Sequence, residues 1–446
     1  MSVIVSDRRT LIVGLGKTGL SCVRYLSGQG RDIAVADSRP QPPGLDELKA
    51  GWPEVPVYLG AFDEALFAGF NELVVSPGIS IAEPAIAGAA ARGARIRGDI
   101  DLFADAAEAP IIAITGSNGK TTVTTLVGEM AQAAGREVRV GGNIGTPALD
   151  LLDPAAELYV LELSSFQLET TESLGALAAT VLNVSDDHMD RYPDKMAYFQ
   201  AKQRIYRGCR TVVVNLDDAL STPMARENQR FLCFGFNRVN PDTLSTRDDD
   251  EGTWITWGLD NLCLTREFQL IGRHNISNVM AALALGLAAD LPLEPMLKVA
   301  RAFRGLPHRC EFVRSLDGVD YVNDSKGTNV GATVAAIESL RPDSGKVILI
   351  AGGEGKGADF TPLAEPVAAC CRAVVLMGRD AERMASALGT SVEQQVVASL
   401  AQAVSAARAY ARPGDRVLLS PACASFDMFR DYNDRGDQFR TLVEGM

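Results

Sequence analysis

The residues best equipped for chemistry are Gly116-Ser117-Asn118-Gly119-Lys120-Thr121-Thr122. An apolar run over 111–114 empties into them, and a helical pattern follows over 123–134. Strand, glycine-bearing loop and helix together form an arrangement that holds a phosphate chain. Successive backbone N–H groups and the helix N-terminus face the anion, while a lysine head and a hydroxyl complete the cage. The loop departs from the general G-x-x-x-x-G-K-[ST] pattern, because Ile114 stands where the first glycine belongs and Gly116 lies three residues before Gly119. Gly-Lys-Thr between a strand and a helix still points to ATP. Glu162 closes the apolar run 158–161, where a carboxylate can hold Mg²⁺ against β- and γ-phosphate oxygens with the Thr121 hydroxyl.

Further candidates also follow apolar runs. His188 lies in DDHMDRY, where three nearby carboxylates are expected to raise its basicity or help it sit beside a hard cation. Lys326 and Lys356 each lie in a glycine-bearing loop and could bind carboxylate or phosphoryl oxygens. Asp324 could accept from an amine or a ribose, and Arg309 could reach a γ-phosphate. Asn143 could orient a water or a phosphate oxygen, or could be a plain turn residue. Lys202, within FQAKQRI, reads as an ordinary helix-surface lysine. This set suits phosphoryl transfer to a carboxylate, giving an acyl phosphate that an amine displaces.

These residues need strands to carry them, and the chain supplies three α/β units, expected over 1–98, 99–304 and 305–446. In the first, a short strand runs into Gly14-Leu15-Gly16-Lys17-Thr18-Gly19, and a second strand, over 32–36, ends at Asp37. G-x-G-x-x-G followed by an acid is the usual sign of a dinucleotide fold. It fits a nicotinamide or flavin, another nucleotide or phosphate, or a close-packing turn. In the second unit, strands are expected over 137–140, 158–161, 178–182 and 211–214, with Gly141-Gly142-Asn143-Ile144-Gly145 a tight loop. Residues 230–270 read as a peripheral antiparallel piece, and 277–289 as a buried helix. The third unit alternates strand and helix again, with polar strand ends at 323–329, 352–357 and 420–425. Strand C-terminal ends line the crevice of open parallel sheets, so these polar clusters are the functional suspects.

Composition narrows the class. The 446 residues are 47% apolar and 22% charged, which is globular rather than disordered. A net charge of −13 argues against a nucleic-acid partner. No apolar run approaches the ~20 residues of a membrane span, and the first residues lack the order of a secretory signal. Eight cysteines without C-x-x-C pairs suit buried thiols in a reducing compartment, the cytoplasm. Three histidines are too few for a histidine-rich zinc centre.

The ordered segments AITGSNGKTT, GGNIGTP, LELSSFQLE, NVSDDHMDRY, GRHNISN, LPHRCE, NDSKGTN, GGEGKGADF and SPACASFDMF resemble those of the Mur ligases of peptidoglycan synthesis, from Gly14 to about Gly436. The TGSNGKT form of the phosphate loop is also that of folylpolyglutamate ligases, an alternative that the first unit argues against. The resemblance implies a cell-wall precursor enzyme, monomeric and cytoplasmic, that joins D-glutamate to the L-alanyl carboxylate of UDP-N-acetylmuramoyl-L-alanine using ATP and two Mg²⁺ ions. It assigns ATP to Gly116, Ser117, Asn118, Gly119, Lys120, Thr121 and Thr122, with Asn275 at adenine, Arg309 at the γ-phosphate and Asp324 at the ribose. The metal partners would be Thr121, Glu162, His188 and a carbamylated Lys202, which overrules the surface reading of that lysine. The uridine diphosphate end would meet Leu15, Lys17, Thr18, Asp37, Ser38, Arg39, Ser76, Pro77 and Gly78, with Asn143 also on the UDP-substrate. D-Glutamate would meet Lys326, Thr328, Lys356, Ser425, Phe426 and Tyr432, with Phe426 standing where leucine is expected.

Overall fold

The computed structural model describes residues 9–189, 191–224, 228–270, 272–342 and 344–446. The reading of residues 1–8 as free of a secretory signal, and the third carboxylate near His188, Asp190, lie outside the described residues. Among the described residues the strands form three sheets. The first is parallel, in the spatial order Val57–Leu59, Ile33–Asp37, Thr10–Val13, Glu72–Val75, Arg95–Arg97. The second has a parallel centre, Thr211–Asn215, Ala178–Val181, Ile111–Thr115, Leu158–Glu162 and Val138–Gly142. The third is parallel except for its edge strand Glu311–Leu316.

Parallel strands covered on both faces are buried throughout and read as unbroken apolar runs. That is why Ile111–Thr115, Leu158–Glu162 and Thr211–Asn215, buried at every position, stand where the sequence places strands. The piece over 230–270 departs from expectation. Arg230–Phe234 extends the parallel part beside Thr211–Asn215, and only Thr243–Asp249, Gly252–Trp257 and Asp260–Leu264 pair antiparallel. The expected glycine loop also begins later. Gly141 and Gly142 close the strand Val138–Gly142, because a Cβ at Gly142 (φ 102°) would stand 2.6 Å from the Glu162 carbonyl oxygen. The buried helix starts earlier, at Arg273, and runs to Ala288. None of the described helices is long and apolar enough to cross a membrane, and no disulfide forms among the described residues.

The packing of the three units is unequal. One apolar cluster joins the first sheet to the second. It contains Ile12, Leu20 and Val35 from one side, Tyr159, Val181 and Val212 from the other, and Ile100, Leu102 and Phe103 of the connecting helix Asp99–Ala106 between them. Phe103 meets Tyr159 edge-on at 5.0 Å between ring centroids. The third sheet keeps its own two clusters, one on each face. The third unit meets the second through hydrogen bonds such as Arg309–Thr121 and Asn329–Asn118, with Leu306 packed on the second unit's core.

Candidate active site

The phosphate loop leaves the strand Ile111–Thr115 and ends at Gly119 (φ 83°), which starts the helix Lys120–Ala133. The segment after the neighbouring strand Ala178–Val181 fixes its shape. Ser117 N–H donates to the Asn183 carbonyl (2.9 Å), and Asn118 N–H donates to Asn183 Oδ1 (2.8 Å). Asn183 Nδ2 returns a bond to the Asn118 carbonyl (3.0 Å). Lys120 Nζ donates to the carbonyls of Gly116 (2.7 Å) and Ser117 (2.9 Å).

Glu162 ends its strand buried, at 2% exposure. Its Oε1 accepts from Asn143 Nδ2 (2.7 Å), while Oε2 is buried without a hydrogen-bond partner. A carboxylate oxygen so placed beside cavity space is costly unless a cation meets it. Among the described residues no group of three or more acidic, histidine or cysteine side chains forms a ready metal cage. A Mg²⁺ ion there would therefore complete its shell from a hydroxyl, water and phosphate oxygens, as that ion commonly does. The donor set fits magnesium rather than zinc.

Lys202 is not a surface lysine. It is 1% exposed on the helix Lys195–Gln203, donates to the Gly116 carbonyl (2.9 Å) and lies 4.3 Å from the centroid of the Tyr198 ring. Burial, then neighbouring Lys120, drives its amine well below the ordinary lysine range. His188, at φ 58°, stands edge-on to Phe166 at 4.8 Å. Its basicity is lowered, not raised. Burial outweighs Asp187, and Lys356, Lys120 and Lys202 push the same way as burial. Asp186 instead pairs with Lys195 at 3.2 Å. The imidazole is thus suited to ligating as a neutral base.

The third unit reaches into the same space. Arg309 Nη2 donates to Thr121 Oγ1 (2.5 Å), and Asn329 Nδ2 donates to Asn118 Oδ1 (3.0 Å) and to Asp187 Oδ2 (3.2 Å). Lys326 lies 3.8 Å from the Tyr432 ring centroid and is lowered to about 8 by burial and by Arg309 and Lys120. Lys120, Thr121, Asn143, Glu162, His188, Lys202, Lys326, Thr328, Lys356, Ser425, Phe426 and Tyr432 line one cavity of 380 Å³. An adjoining cavity of 330 Å³ is lined by Asn118, Thr122, Asn275, Asn278, Arg309 and Asp324 among others. Asn118, Gly119, Arg309 and Lys326 border both. Asp324 accepts from Ser420 Oγ (2.7 Å), and burial lifts it to about 6.

Leu15, Lys17, Thr18, Asp37, Ser38, Arg39, Ser76, Pro77 and Gly78 gather elsewhere, at the C-terminal ends of the first sheet's strands. Asp37 accepts from Leu15 N–H (2.7 Å) and from the backbone N–H and the guanidinium of Arg39. Burial would raise its carboxyl, yet the Arg39 and Leu15 hydrogen bonds hold it low. Asn143 is apart from this group, in the central cavity.

Known proteins carry the same plan. Residues 8–98 match the model described as "Mur ligase MurD-like, N-terminal domain", 114–286 the Mur ligase middle domain, and 308–423 the Mur ligase glutamate ligase domain. A UDP-N-acetylmuramoylalanine--D-glutamate ligase of Marinobacter nauticus is 86% identical over 100% of both chains. The chain belongs to the Mur ligase family. A Pseudomonas aeruginosa ligase of the same name is 55% identical over 100% of this chain and 99% of its own. Among solved Mur-type structures, a pseudomurein peptide ligase type C from Methanothermus fervidus aligns at TM-score 0.63 and 16% identity, covering 98% of this chain and 100% of that one. The Thermotoga maritima UDP-N-acetylmuramate-alanine ligase aligns at 0.59 and 17%, covering 98% and 99%. At that identity they speak for the Mur ligase fold alone.

Within this Mur ligase, motif reading passed over residues that shape the site. Asn183 was visible only as one polar residue after a strand, yet it holds the phosphate loop from both sides. Asn278 lines the second cavity one helical turn after Asn275, a spacing that could have marked it. His308 is buried at φ 62° and pairs through Nδ1 with Asn323 Nδ2 (3.0 Å). Arg435, wholly buried, ties the Ser325 carbonyl (2.8 Å) to the Cys423 carbonyl (3.2 Å) and so joins the loops bearing Lys326 and Ser425.

Proposed function

We propose that this chain joins D-glutamate to the L-alanyl carboxylate of UDP-N-acetylmuramoyl-L-alanine, converting ATP to ADP and phosphate. The unpartnered Glu162 Oε2, in a cavity with lysines from both the second and third units, carries the reading. Residues 1–98 receive the uridine diphosphate end, 99–304 hold ATP and 305–446 present the amino acid. The same Gly14–Gly19 turn could cradle a dinucleotide, but the close match to D-glutamate ligases along the whole chain favours the sugar nucleotide.

ATP lies with its phosphates on Gly116–Thr122, its base towards Asn275 and its ribose towards Asp324. A substrate carboxylate oxygen attacks the γ-phosphorus, and the bond to the β,γ-bridging oxygen breaks, leaving ADP. Lys120 and Arg309 balance the charge on the moving phosphoryl group. The D-glutamate nitrogen, presented by Lys326, Thr328, Lys356, Ser425, Phe426 and Tyr432, then adds to the acyl carbon. The amine loses a proton, and the tetrahedral intermediate expels phosphate. Closure of the third unit keeps water from the acyl phosphate.

Mg²⁺ would be held by Thr121 and Glu162, and a second ion by His188 with Lys202 as its carbamate. When bound, these ions neutralise phosphate oxygens. Burial of Lys202 supports the carbamate, since a neutral amine is the form that adds CO₂. The enzyme acts as a cytoplasmic monomer.

Phosphate release from ATP with UDP-N-acetylmuramoyl-L-alanine is expected to require D-glutamate and to ignore L-glutamate. Release indifferent to D-glutamate would overturn the assignment. For the first unit, Asp37→Asn removes the charge facing Arg39 and sets an NH₂ where one of the two accepting oxygens lies. It should raise KM for the UDP-substrate about tenfold, with kcat little changed. An unchanged KM in initial-rate kinetics would remove Asp37 from that site.

A further inference from the structure

Arg191 has no part in the chemistry above, yet it touches both halves of the substrate path. Its Nη2 donates to the Ile79 carbonyl (3.1 Å) in the first unit and to Glu169 Oε2 (2.6 Å) in the second. Its guanidinium carbon lies 4.7 Å from the centroid of the Phe166 ring, which forms the T-shaped pair with His188. Its backbone N–H donates to the carbonyl of His188 (2.9 Å), which itself sits at φ 58°. The pair with Glu169 is well shielded, with side-chain exposures of 15% and 12%.

The other end of this contact is equally specific. Ile79 N–H donates to the Ser76 carbonyl (3.0 Å), closing the Ser76-Pro77-Gly78 turn. Ser76 Oγ donates in turn to the Gly14 carbonyl (3.2 Å) of the glycine loop. A continuous set of contacts therefore runs from Gly14 through Ser76 and Ile79 to Arg191, and from Arg191 to Phe166 and His188. A planar, permanently charged guanidinium suits this work, because it can bond at its edge and stack on its face at once.

We infer that Arg191 is a positioning residue. It sets the register between the turn that takes the substrate's diphosphate and the His188 side of the reaction cavity, so that the substrate's carboxylate arrives in line with ATP. This rests on the functional reading above. A substrate anchored at one end and reacting at the other converts a small shift between the two units into lost alignment, and misplacement by about 1 Å costs about a hundredfold in rate.

The test compares Arg191→Ala, Arg191→Lys and Glu169→Gln with wild type. Arg191→Ala should lower kcat about a hundredfold, while the Kd for UDP alone and the KM for ATP stay within about twofold. Arg191→Lys keeps the charge and one donor but loses the planar stack, and should recover part of the rate. Glu169→Gln should lower kcat in the same direction by less. A merely structural arginine would lower Tm and soluble yield while leaving the kcat of the folded fraction unchanged, which would overturn the inference. So would loss of UDP affinity in place of kcat. If Arg191→Ala does not fold, Arg191→Lys decides, since a wild-type kcat there is equally fatal. Wild-type enzyme lacking D-glutamate-dependent phosphate release would sink the functional reading itself, whereas active wild type with indifferent variants would sink only the role of Arg191.

Discussion

Lys120→Ala is expected to lower kcat by about 10³-fold, equivalent to about 4 kcal/mol of transition-state stabilisation. The ammonium sits at the start of the helix Lys120–Ala133, half-buried between the loop and the cavity that Glu162, Lys202 and Arg309 share. Burial lowers its basicity, and Glu162 and Asp187 counter that. Its present partners are two loop carbonyls, of which that of Gly116 keeps Lys202 Nζ as a donor when Lys120 is removed. The folded state should therefore survive while the phosphoryl charge goes unbalanced. Lys120→Arg is not expected to rescue, because a wider head does not fit between the Gly116 and Ser117 carbonyls. Single-turnover phosphate release measures the effect, and a loss smaller than tenfold would remove Lys120 from the phosphate site.

Glu162→Gln should lower kcat by about a hundredfold and raise the Mg²⁺ concentration needed for half-maximal rate by about tenfold or more. The substitution preserves shape and can keep the acceptor for Asn143, but it sets an amide NH₂ where the unpartnered oxygen now lies. Two explanations of that oxygen then separate. If it awaits a cation, the magnesium dependence moves and Tm barely changes. If it is only a buried polar atom left unsatisfied, removing its charge should raise Tm and leave the magnesium titration where it was. Initial rates across a magnesium series, with thermal melts of the same samples, decide between them.

Much of this arrangement is legible in the chain itself. Strands such as Ile111–Thr115 announce themselves because they are covered on both faces, and the polar residues that follow them must lie along one edge of the sheet. Tertiary placement is what local pattern leaves out. Lys202 follows Tyr198 by one turn on a nine-residue helix, and nothing in its spacing tells which face packs beneath the phosphate loop. Motif resemblance marks it, and burial supplies the physics. His188 fails for a related reason. The carboxylates beside it in sequence suggest a raised basicity, whereas desolvation and three lysines drawn from distant segments set the sign. Asn183 and Arg435 act by joining loops far apart in sequence, and no window of neighbouring residues contains that information.

The unequal seams between the three units also decide how molecules get in and out. Prising the first unit from the second would bare the greasy interior around Phe103 to solvent. Swinging the third away would break bonds such as Arg309–Thr121 and Asn329–Asn118, for which water offers ready substitutes. Separating the third unit is therefore the less costly of the two openings, and its chain connection near Gly305 (φ 92°) is where such a movement would be expected to turn. On the proposed reading, nucleotide and amino acid would enter by the seam that opens at lower cost, while the sugar-linked peptide would lie along the one that is harder to part.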